Sequence, residues 1–373
     1  DIHVWGQGDP AAGFNQAEVI VENTFELSIV HQLYMEAHAC QASLDESGRL
    51  HIWANNKTPY NAKWQVAAAL GIEPDDVLVH PVAIGGDDFT ISGGSPHNVH
   101  KGSRQFTQPL AIQYGIPYIQ LVEGVGHSSK SDEAAGHMGL PTGGQWWQGM
   151  ELLRRVPVAA GIMGSVAGAP AAFALMSHFT VMVKGQSQIF PSGPPVVRRA
   201  IGEELDKEAL GGAQMHVHDS GQVDNEAESE EEAFEQIKQF LSYLPNTTSD
   251  VAPRVETGDP PDRRPEELLN VIPSNRRRGY DPRKLISLVV DNGEFFEMRR
   301  HWAGAVITGF ARLDGYSVGV IGSDPTKMAG AMDGEAADKY AHFVDLCDAF
   351  NLPVVIFLDM PGFMLGSHAE RKA

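Results

Sequence analysis

The chain has 373 residues, 42% of them hydrophobic and 20% charged, a length typical of two or three domains and a composition sufficient for buried cores. Its formal net charge of −20 argues against nucleic-acid binding, because such a field repels phosphate backbones. With two distant cysteines, Cys40 and Cys347, and no apolar run of about 18 residues, the sequence gives no disulfide framework and no membrane span, and it predicts a cytoplasmic protein.

The first 84 residues predict a short α+β head. The chain does not start with Met, and its first residues form no signal peptide, so we expect that it begins inside a longer protein. Gly71 ends the predicted helix, and Pro81 interrupts the last apolar run. The predicted elements are strands at 19–21 and 50–53, a helix at 62–70 and a strand-like run at 76–84.

The middle of the chain repeats an apolar run, a glycine-rich turn and a helix of small residues. Apolar runs at 116–122, 156–163 and 179–183 predict buried strands, and their alternation with helices favours a parallel sheet or a β-helical stack. A helix is predicted over 225–244, with acidic first turns at the positive end of its dipole. Seven prolines from Pro245 to Pro282 then predict a linker over 246–283.

Beyond the linker, the sequence predicts a helix at 284–291 and two strands, 306–310 and 318–321, joined by a turn at Asp314 and Gly315. Segments on the two sides of the linker match in order, which indicates a duplication; the alternative is two unrelated α/β units with similar turns. No such hairpin precedes the first copy, so that copy begins abruptly between Val82 and Gly86. The matches are 84–87 with 321–324 and Gly93 with Gly330 at an offset of 237, and 114–117 with 350–353, Glu123 with Asp359 and Gly126 with Gly362 at 236.

Seven motifs, in order over residues 85–373, resemble the carboxyltransferase (beta) subunits of biotin-dependent acyl-CoA carboxylases, of the propionyl- and acetyl-CoA carboxylase type. The resemblance implies an α/β fold with two crotonase-like domains, each a ββα superhelix, of which the first spans 85–245 and the second, incomplete, spans 284–373. The motifs are 87–90 (DDFT), 92–95 (SGGS), 164–169 (GSVAGA), 192–197 (SGPPVV), 211–213 (GGA), 280–283 (YDPR) and 359–363 (DMPGF).

The resemblance implies transfer of a carboxyl group from carboxybiotin to the α-carbon of an acyl-CoA substrate. Biotin is then carried by a separate protein or domain, and the implied partners are a biotin carboxylase or biotin carboxyl carrier subunit. The family also implies a homo-oligomer, a trimer of dimers, with each active site between the first domain of one subunit and the second domain of another. No side-chain base stands out, as expected where the biotin ureido group takes the α-proton.

Gly168 and Ala169 match the positions whose N–H groups stabilise the oxyanion of the substrate in this family. Ala169 replaces the usual second glycine, which keeps the N–H donor. On the biotin side we expect Pro361, Gly362 and Phe363. The residues expected to bind substrate are Gly93, Gly94, Gly124, Gly126, Ala167, Gly193 and Pro194. The alternative for these glycines is tight turns and close packing.

The sequence predicts that a metal ion and the second-domain counterpart of Gly168 are both absent. His216 and His218 lack further ligands in the sequence around them, so no metal is expected. The second-domain counterpart of Gly168 falls at position 404, past Ala373, so we expect full activity to need residues that this chain does not show.

Residues 1–86 resemble a fragment of the molybdopterin-binding subunit of xanthine dehydrogenases and aldehyde oxidases. The fragment is small and its Gly85-Gly86 run continues as Asp87 instead of Phe-Gly, so we expect no molybdenum cofactor from this chain alone. Two other functions stay open: a non-catalytic CoA-binding or assembly module, and a fragment of a molybdenum hydroxylase. The matching segments are 21–25 (VENTF), 31–38 (HQLYMEAH), 53–57 (WANNK) and 84–87 (IGGD).

Overall fold

A computed structural model describes most of the chain from residue 40 onward. The chain divides into two units, residues 1–37 and 38–373. Only residues 15 and 16 of the first unit are described, so the strand predicted at 19–21 lies outside the described residues. The described ranges are 15–16, 40–44, 48–54, 59–87, 89–90, 92–94, 103–126, 144–275 and 278–371.

The head forms a three-stranded sheet of order β1-β2-β3, in which β1 and β2 are antiparallel and β2 and β3 parallel. Ile52, Ala67 and Val77 form its small buried core. The predicted strand at 50–53 and helix at 62–70 are confirmed, whereas the run at 76–84 splits at Val82 into strands of two different sheets. The elements are β1 (Cys40–Leu44), β2 (Leu50–Ala54), α1 (Pro59–Leu70) and β3 (Val77–Pro81).

A parallel sheet of order β4-β5-β6-β7-β9 follows, with β8 also paired to β6. All five residues of β7 are buried, which explains its continuous apolar sequence. The three strands predicted from apolar runs at 116–122, 156–163 and 179–183 are β5, β6 and β7. The strands are β4 (Ala83–Gly86), β5 (Tyr118–Val125), β6 (Val158–Ala167), β7 (Phe179–Val183), β8 (Gln188–Phe190) and β9 (Asn225–Ala227).

Short helices connect these strands, and one of them departs from the sequence prediction. The helix predicted over 225–244 begins later, because Asn225–Ala227 pairs with β7 as β9. Ser229 caps the helix by accepting from the Glu232 N–H, and the acidic first turn lies at the positive end of the helix dipole. The α-helices are α2 (Ser103–Tyr114), α3 (Gly144–Leu153), α4 (Ala169–Leu175), α5 (Pro194–Ile201), α6 (Lys207–Gly211) and α7 (Glu230–Ser242), and a π-helix spans Gln214–Asp219.

The segment 246–281 is held against the following hairpin. The Arg254 side chain donates to the carbonyl of Asp314, and Val255 N–H donates to the carbonyl of Gly315 at 3.0 Å. Asp281 then caps the next helix, α8 (Pro282–Val289), by accepting from Arg283 N–H, so this helix starts two residues before the predicted boundary at 284.

The last sheet has the order β10-β11-β12-β13, antiparallel except for the β12–β13 pair. The predicted turn is confirmed, with φ of 51° at Asp314 and 77° at Gly315. The side chain of Asp291 fixes this turn by accepting from both N–H groups, at 3.0 and 2.7 Å. The elements are β10 (Phe295–Met298), β11 (Val306–Leu313), β12 (Tyr316–Ser323), α9 (Gly334–Ala349), β13 (Val354–Phe357) and α10 (Ser367–Glu370).

One apolar cluster contains residues of both large sheets. Phe179 stacks on Phe240 with ring centroids 5.0 Å apart, and Phe310 lies 6.0 Å from Phe240 and 5.1 Å from Phe343. The sheets therefore share a core, which includes side chains from α7 and α9. Within the described ranges, no helix combines the length and the apolar character needed to cross a membrane.

Candidate functional site

The predicted substrate residues meet at the carboxyl ends of three parallel strands. Val125 of β5 pairs with Ala167 of β6, and Ala167 pairs with Phe190 of β8. The chain leaves β6 through Gly168, whose φ of 75° and ψ of −136° suit a residue without a side chain. This turn places Ala169 at the start of α4.

The two predicted oxyanion donors differ in their hydrogen bonds. Gly168 N–H donates to the Phe190 carbonyl at 3.1 Å, so in this structure this amide takes part in strand pairing. Ala169 N–H has no acceptor among the described residues. The structure thus leaves Ala169 as the available donor, with Gly168 setting the direction of the chain.

Gly126 lies beside the Ala169 amide. A Cβ atom added at Gly126 would be 3.5 Å from the Ala169 nitrogen and 3.5 Å from the Ala167 carbonyl oxygen. These are ordinary contact distances, so a methyl group fits there but fills the space next to the amide. The absence of a side chain at Gly126 therefore keeps that space open.

Gly94 and Gly124 form a second close backbone contact at the same strand ends. A Cβ atom at Gly94 would lie 2.5 Å from the Glu123 carbonyl oxygen, and one at Gly124 would lie 3.1 Å from the Gly94 carbonyl oxygen. Gly93 faces the side chain of Val125, 3.2 Å from the Cβ position. Packing therefore accounts for Gly93 and Gly94, and the structure brings both to the edge that carries Gly126.

Gly193 and Pro194 lie at the start of α5, just after β8. Pro194 is part of the wall of an open cavity of about 750 Å³ that also contains two arginines. Arg198 pairs with Glu204 at 3.0 Å, whereas no ion-pair partner of Arg199 is found in the described part of the chain. The cavity is lined by Pro194, Pro195, Arg198, Arg199, Glu204, Leu205 and Asp206.

A row of hydrogen-bonded polar side chains, which the sequence did not predict, stabilises the strand ends at this edge of the sheet. Ser165 donates to Gln188 at 2.7 Å, and Gln188 donates to Glu208 at 3.1 Å. These bonds fix β8 against β6, and β8 supplies the Phe190 carbonyl that accepts from Gly168. The signal in the sequence that could have indicated this pairing was a glutamine at the start of an apolar run.

The predicted biotin-side residues follow β13 in the chain. Gly362 accepts from Met332 N–H at 3.0 Å, and Phe363 is 71% exposed. Tyr280 donates to Asp359 at 3.0 Å, which joins the last two family motifs; burial, and then this hydrogen bond, raises the pKa of Tyr280 to about 12. No described contact connects Pro361, Gly362 or Phe363 with Gly168.

The sequence has two further arginine clusters, Arg154-Arg155 and Arg276-Arg277-Arg278. Arg154 and Arg155 line a cavity of about 500 Å³ that includes Gly115 and Val156, at the amino ends of β5 and β6. They are therefore at the opposite end of the strands from Gly126. Residues 276 and 277 lie outside the described residues.

The glycine run at 85–86, which belongs to the resemblance to the molybdopterin-binding subunit, has a packing role in this structure. Gly85 is buried, and a Cβ atom there would lie 2.6 Å from the Tyr118 hydroxyl and 3.0 Å from Thr107 Oγ1. The glycine run is thus used in packing β4 against β5 and α2. The segments 21–25 and 31–38 of the head lie outside the described residues.

Two family models match the chain. Residues 79–373 match the carboxyl transferase domain, and residues 1–87 match the molybdopterin cofactor-binding domain. Both predicted resemblances are confirmed, and the matches overlap over β3 and β4, where the first repeat was predicted to begin.

Curated relatives match about three quarters of this chain. The chain is 38% identical over 298 residues to the methylmalonyl-CoA decarboxylase subunit alpha of Veillonella parvula, covering 79% of this chain and 57% of that protein. It is 34% identical over 285 residues to the mitochondrial propionyl-CoA carboxylase beta chain of Homo sapiens, covering 76% and 52%. The chain thus spans about half the length of the curated relatives it matches.

A solved structure shows the same fold. The transcarboxylase 12S hexamer, with methylmalonyl-coenzyme A and methylmalonic acid bound, superimposes with a TM-score of 0.70 at 32% identity, covering 77% of this chain and 56% of that one. The α/β architecture and the parallel sheet are consistent with a crotonase-like domain. By sequence and by fold, the chain belongs to the carboxyl transferase domain family, which includes carboxyltransferase subunits of biotin-dependent acyl-CoA carboxylases and decarboxylases.

Proposed function

We propose that this chain supplies the acyl-CoA side of a carboxyltransferase site, at which a carboxyl group moves between carboxybiotin and the α-carbon of an acyl-CoA. The observation that supports this most directly is the Ala169 amide, which has no acceptor among the described residues and whose nitrogen lies 3.5 Å from the position that a Cβ at Gly126 would take. Family membership of residues 79–373 supports the reaction class.

The Ala169 N–H would stabilise the negative charge on the thioester oxygen when the α-carbon loses its proton. One well-placed donor of this kind contributes about 3–4 kcal/mol to the transition state. Carboxybiotin, when held at Pro361, Gly362 and Phe363, would supply the carboxyl group and a ureido nitrogen able to take the α-proton. The small residues at 124, 126 and 168 let the thioester approach the backbone, and Gly193 and Pro194 form the neighbouring wall.

The same site serves both directions of transfer, because a reversible step passes through one transition state. Relatives include both a decarboxylase subunit and carboxylase beta chains. The direction in this protein is therefore set by the partner that loads or unloads biotin. We propose a biotin carboxylase or biotin carrier subunit as that partner, with Pro361, Gly362 and Phe363 on the biotin side.

The cavity beside Pro194 suits the phosphates of coenzyme A. Arg199 presents a guanidinium there without an ion-pair partner in the described part of the chain, and guanidinium groups bind phosphate oxygens through paired N–H donors. We expect Arg199→Gln to raise the KM for acyl-CoA about tenfold with little change in kcat. An unchanged KM would remove Arg199 from the substrate site.

The central experiment compares Gly126→Ala with Gly304→Ala. At Gly304 an added Cβ also meets its nearest atom, in Lys327, at 3.5 Å, so the two changes are matched in packing and only the first fills the space beside Ala169. We expect both variants to keep the unfolding temperature, and Gly126→Ala to lower carboxyl transfer about 100-fold. Transfer is measured as malonyl-type product formed with the biotin carrier, by mass spectrometry.

Four outcomes separate the competing functions. Acyl-CoA binding by calorimetry together with product formation supports the carboxyltransferase. Binding without product, with the carrier present, supports a non-catalytic CoA module, and no acyl-CoA binding contradicts the proposal. Molybdenum in the purified protein, measured by elemental analysis, would favour the hydroxylase fragment.

We also propose that the protein assembles into hexamers, because the transcarboxylase 12S relative is described as a hexamer assembly. The mass in solution, measured by light scattering, tests this for the present chain. A monomer would mean that the active site between subunits is not formed.

A further inference from the structure

Two histidines and a glutamate from distant parts of the chain meet at one point. His218 lies in the π-helix, Glu226 in β9, and His301 in the turn between β10 and β11. His218 Nε2 is 3.1 Å from Glu226 Oε2, and His301 Nε2 is 4.0 Å from Glu226 Oε1. The ligand atoms of all three side chains lie within 4.8 Å of one another.

The arrangement of the rings directs both Nε2 atoms toward the carboxylate. The imidazoles of His218 and His301 are stacked, with centroids 4.4 Å apart and planes at 22°. A tetrahedral zinc ion with bonds of about 2.0–2.1 Å would need ligand atoms about 3.3 Å apart. The observed separations bracket this value, so small side-chain rotations bring the three atoms to that spacing.

The cluster also has an open side. The side chains of His218, Glu226 and His301 are 28%, 15% and 42% exposed, which leaves room for a water molecule as a fourth ligand.

We propose that His218, Glu226 and His301 bind one divalent transition-metal ion, with Zn²⁺ as the expected occupant. Two imidazole nitrogens and one carboxylate oxygen form a ligand set that suits zinc and its first-row neighbours. His218 and Glu226 belong to the first repeat and His301 to the second, so the ion joins the two. The expectation of no metal near His216 and His218 considered only their sequence neighbours, whereas the fold brings Glu226 and His301 to His218.

A neighbouring cation competes for the same carboxylate. Lys184 Nζ lies 3.8 Å from Glu226 Oε1 and 3.0 Å from Glu228 Oε1. Because like charges repel, removing the lysine charge strengthens metal binding, whereas a purely hydrogen-bonded cluster gives no such effect. Glu228 is also the matched control, since it shares Lys184 with Glu226 but lies outside the group of three ligands.

The test titrates Zn²⁺ into the full chain after treatment with a chelator, with calorimetry and thermal unfolding as readouts. We expect Glu226→Gln to weaken Zn²⁺ binding at least about tenfold, and the double change His218→Ala with His301→Ala to remove this binding step. Glu228→Gln should weaken it far less than Glu226→Gln does, and Lys184→Gln should strengthen it a few-fold. Zn²⁺ should raise the unfolding temperature of the unchanged chain but not of the double variant.

The proposal is wrong if Glu226→Gln binds Zn²⁺ as tightly as Glu228→Gln, or if the double variant gains the same thermal stabilisation from Zn²⁺. Either result would show that His218 and Glu226 form an ordinary hydrogen-bonded pair. This outcome is independent of carboxyl transfer, because none of the five altered residues lies at the Gly126 and Ala169 site.

Discussion

The strand pairs β4–β5 and β12–β13 have the same internal pattern. Ile84 pairs with Ile119 and Ile321 pairs with Ile356, so the partners are 35 residues apart in both copies. Gly93 and Gly330, which follow the first strand of each pair, both have positive φ, 66° and 75°. This agreement supports the duplication predicted from the sequence.

The two pairs differ in their neighbours. β12 carries the antiparallel strand β11 on its other side, while β4 has no partner there among the described strands. On its other side β5 pairs with β6, whereas β13 is the last strand of its sheet in the described part of the chain. Because Gly168 and Ala169 follow β6, the strand pair alone does not make the candidate site; the third parallel strand does.

The largest effect is expected where the two copies are joined by a buried ion pair. Asp224 accepts from Arg299 Nε at 2.7 Å and from Thr180 N–H at 2.8 Å. Asp224→Ala leaves Arg299 largely buried without this partner, and we expect a loss of about 3–5 kcal/mol in urea unfolding. The control Glu235→Ala removes an exposed carboxylate and should change stability by less than about 0.5 kcal/mol. Equal effects would show that the copies are not held by this pair.

A pH effect is expected at a second contact between the copies. His178 accepts from Val158 N–H at 3.1 Å and touches Phe350, with ring centroids 4.9 Å apart. Burial, and then the charge of His342, lowers the pKa of His178 from 6.5 to about 4. Between these values the unfolded chain binds a proton that the folded chain does not, so stability falls as pH drops from 6.5 toward 4, by about 3 kcal/mol.

The variant His178→Asn keeps an acceptor near the Val158 N–H but cannot take up a proton in this range. Urea unfolding at several pH values should therefore show a flatter pH dependence for the variant than for the unchanged chain. Parallel curves for the two proteins would contradict the assignment to His178.

A smaller effect is expected in the β11–β12 hairpin. This hairpin belongs to the second copy, and no equivalent of it is described in the first. Asp291→Ala removes the acceptor of two N–H groups, of Asp314 and Gly315, and should cost about 2 kcal/mol. Asp314→Asn is the control, because it tolerates the positive φ and loses only an exposed ion pair with Arg254. If both variants unfold at the same urea concentration, Asp291 does not fix the turn.

The smallest effect compares equivalent glycines. An alanine at Gly93 or Gly330 adopts a positive φ, at a cost of about 1–2 kcal/mol each. At Gly330 the new Cβ also lies 2.8 Å from the Asp359 carbonyl oxygen, whereas at Gly93 it meets a movable methyl of Val125 at 3.2 Å. We expect Gly330→Ala to be the more destabilising by about 1 kcal/mol, measured by thermal unfolding; the reverse order would mean that the two turns are not equivalent.

Local signals in the sequence predicted much of the fold. The apolar run at 179–183 became β7 with the same ends, and the Asp314 and Gly315 pair formed the predicted hairpin turn. The prediction failed for Asn225–Ala227, because its pairing with β7 is a long-range contact that outweighs the helical pattern following it. Local sequence cannot show which strands become neighbours.

The candidate site, like the fold, was predicted from the sequence only in part. The resemblance located Gly126 and Ala169, which the structure brings together. It did not show that Gly168 N–H is used by Phe190, because that bond depends on the pairing of β6 with β8. The group of His218, Glu226 and His301 was missed for the same reason, since its members are brought together only by the fold.

The π-helix at Gln214–Asp219 has a consequence for comparing relatives. A π-helical turn contains one residue more than an α-helical turn, as in the bond from Ser220 N–H to the Met215 carbonyl at 2.9 Å. Deleting one residue before His218 would restore an α-helix and rotate that side chain by about 100° around the axis. A difference of one residue in length, with no substitution at His218, Glu226 or His301, therefore distinguishes relatives that form this cluster from relatives that do not.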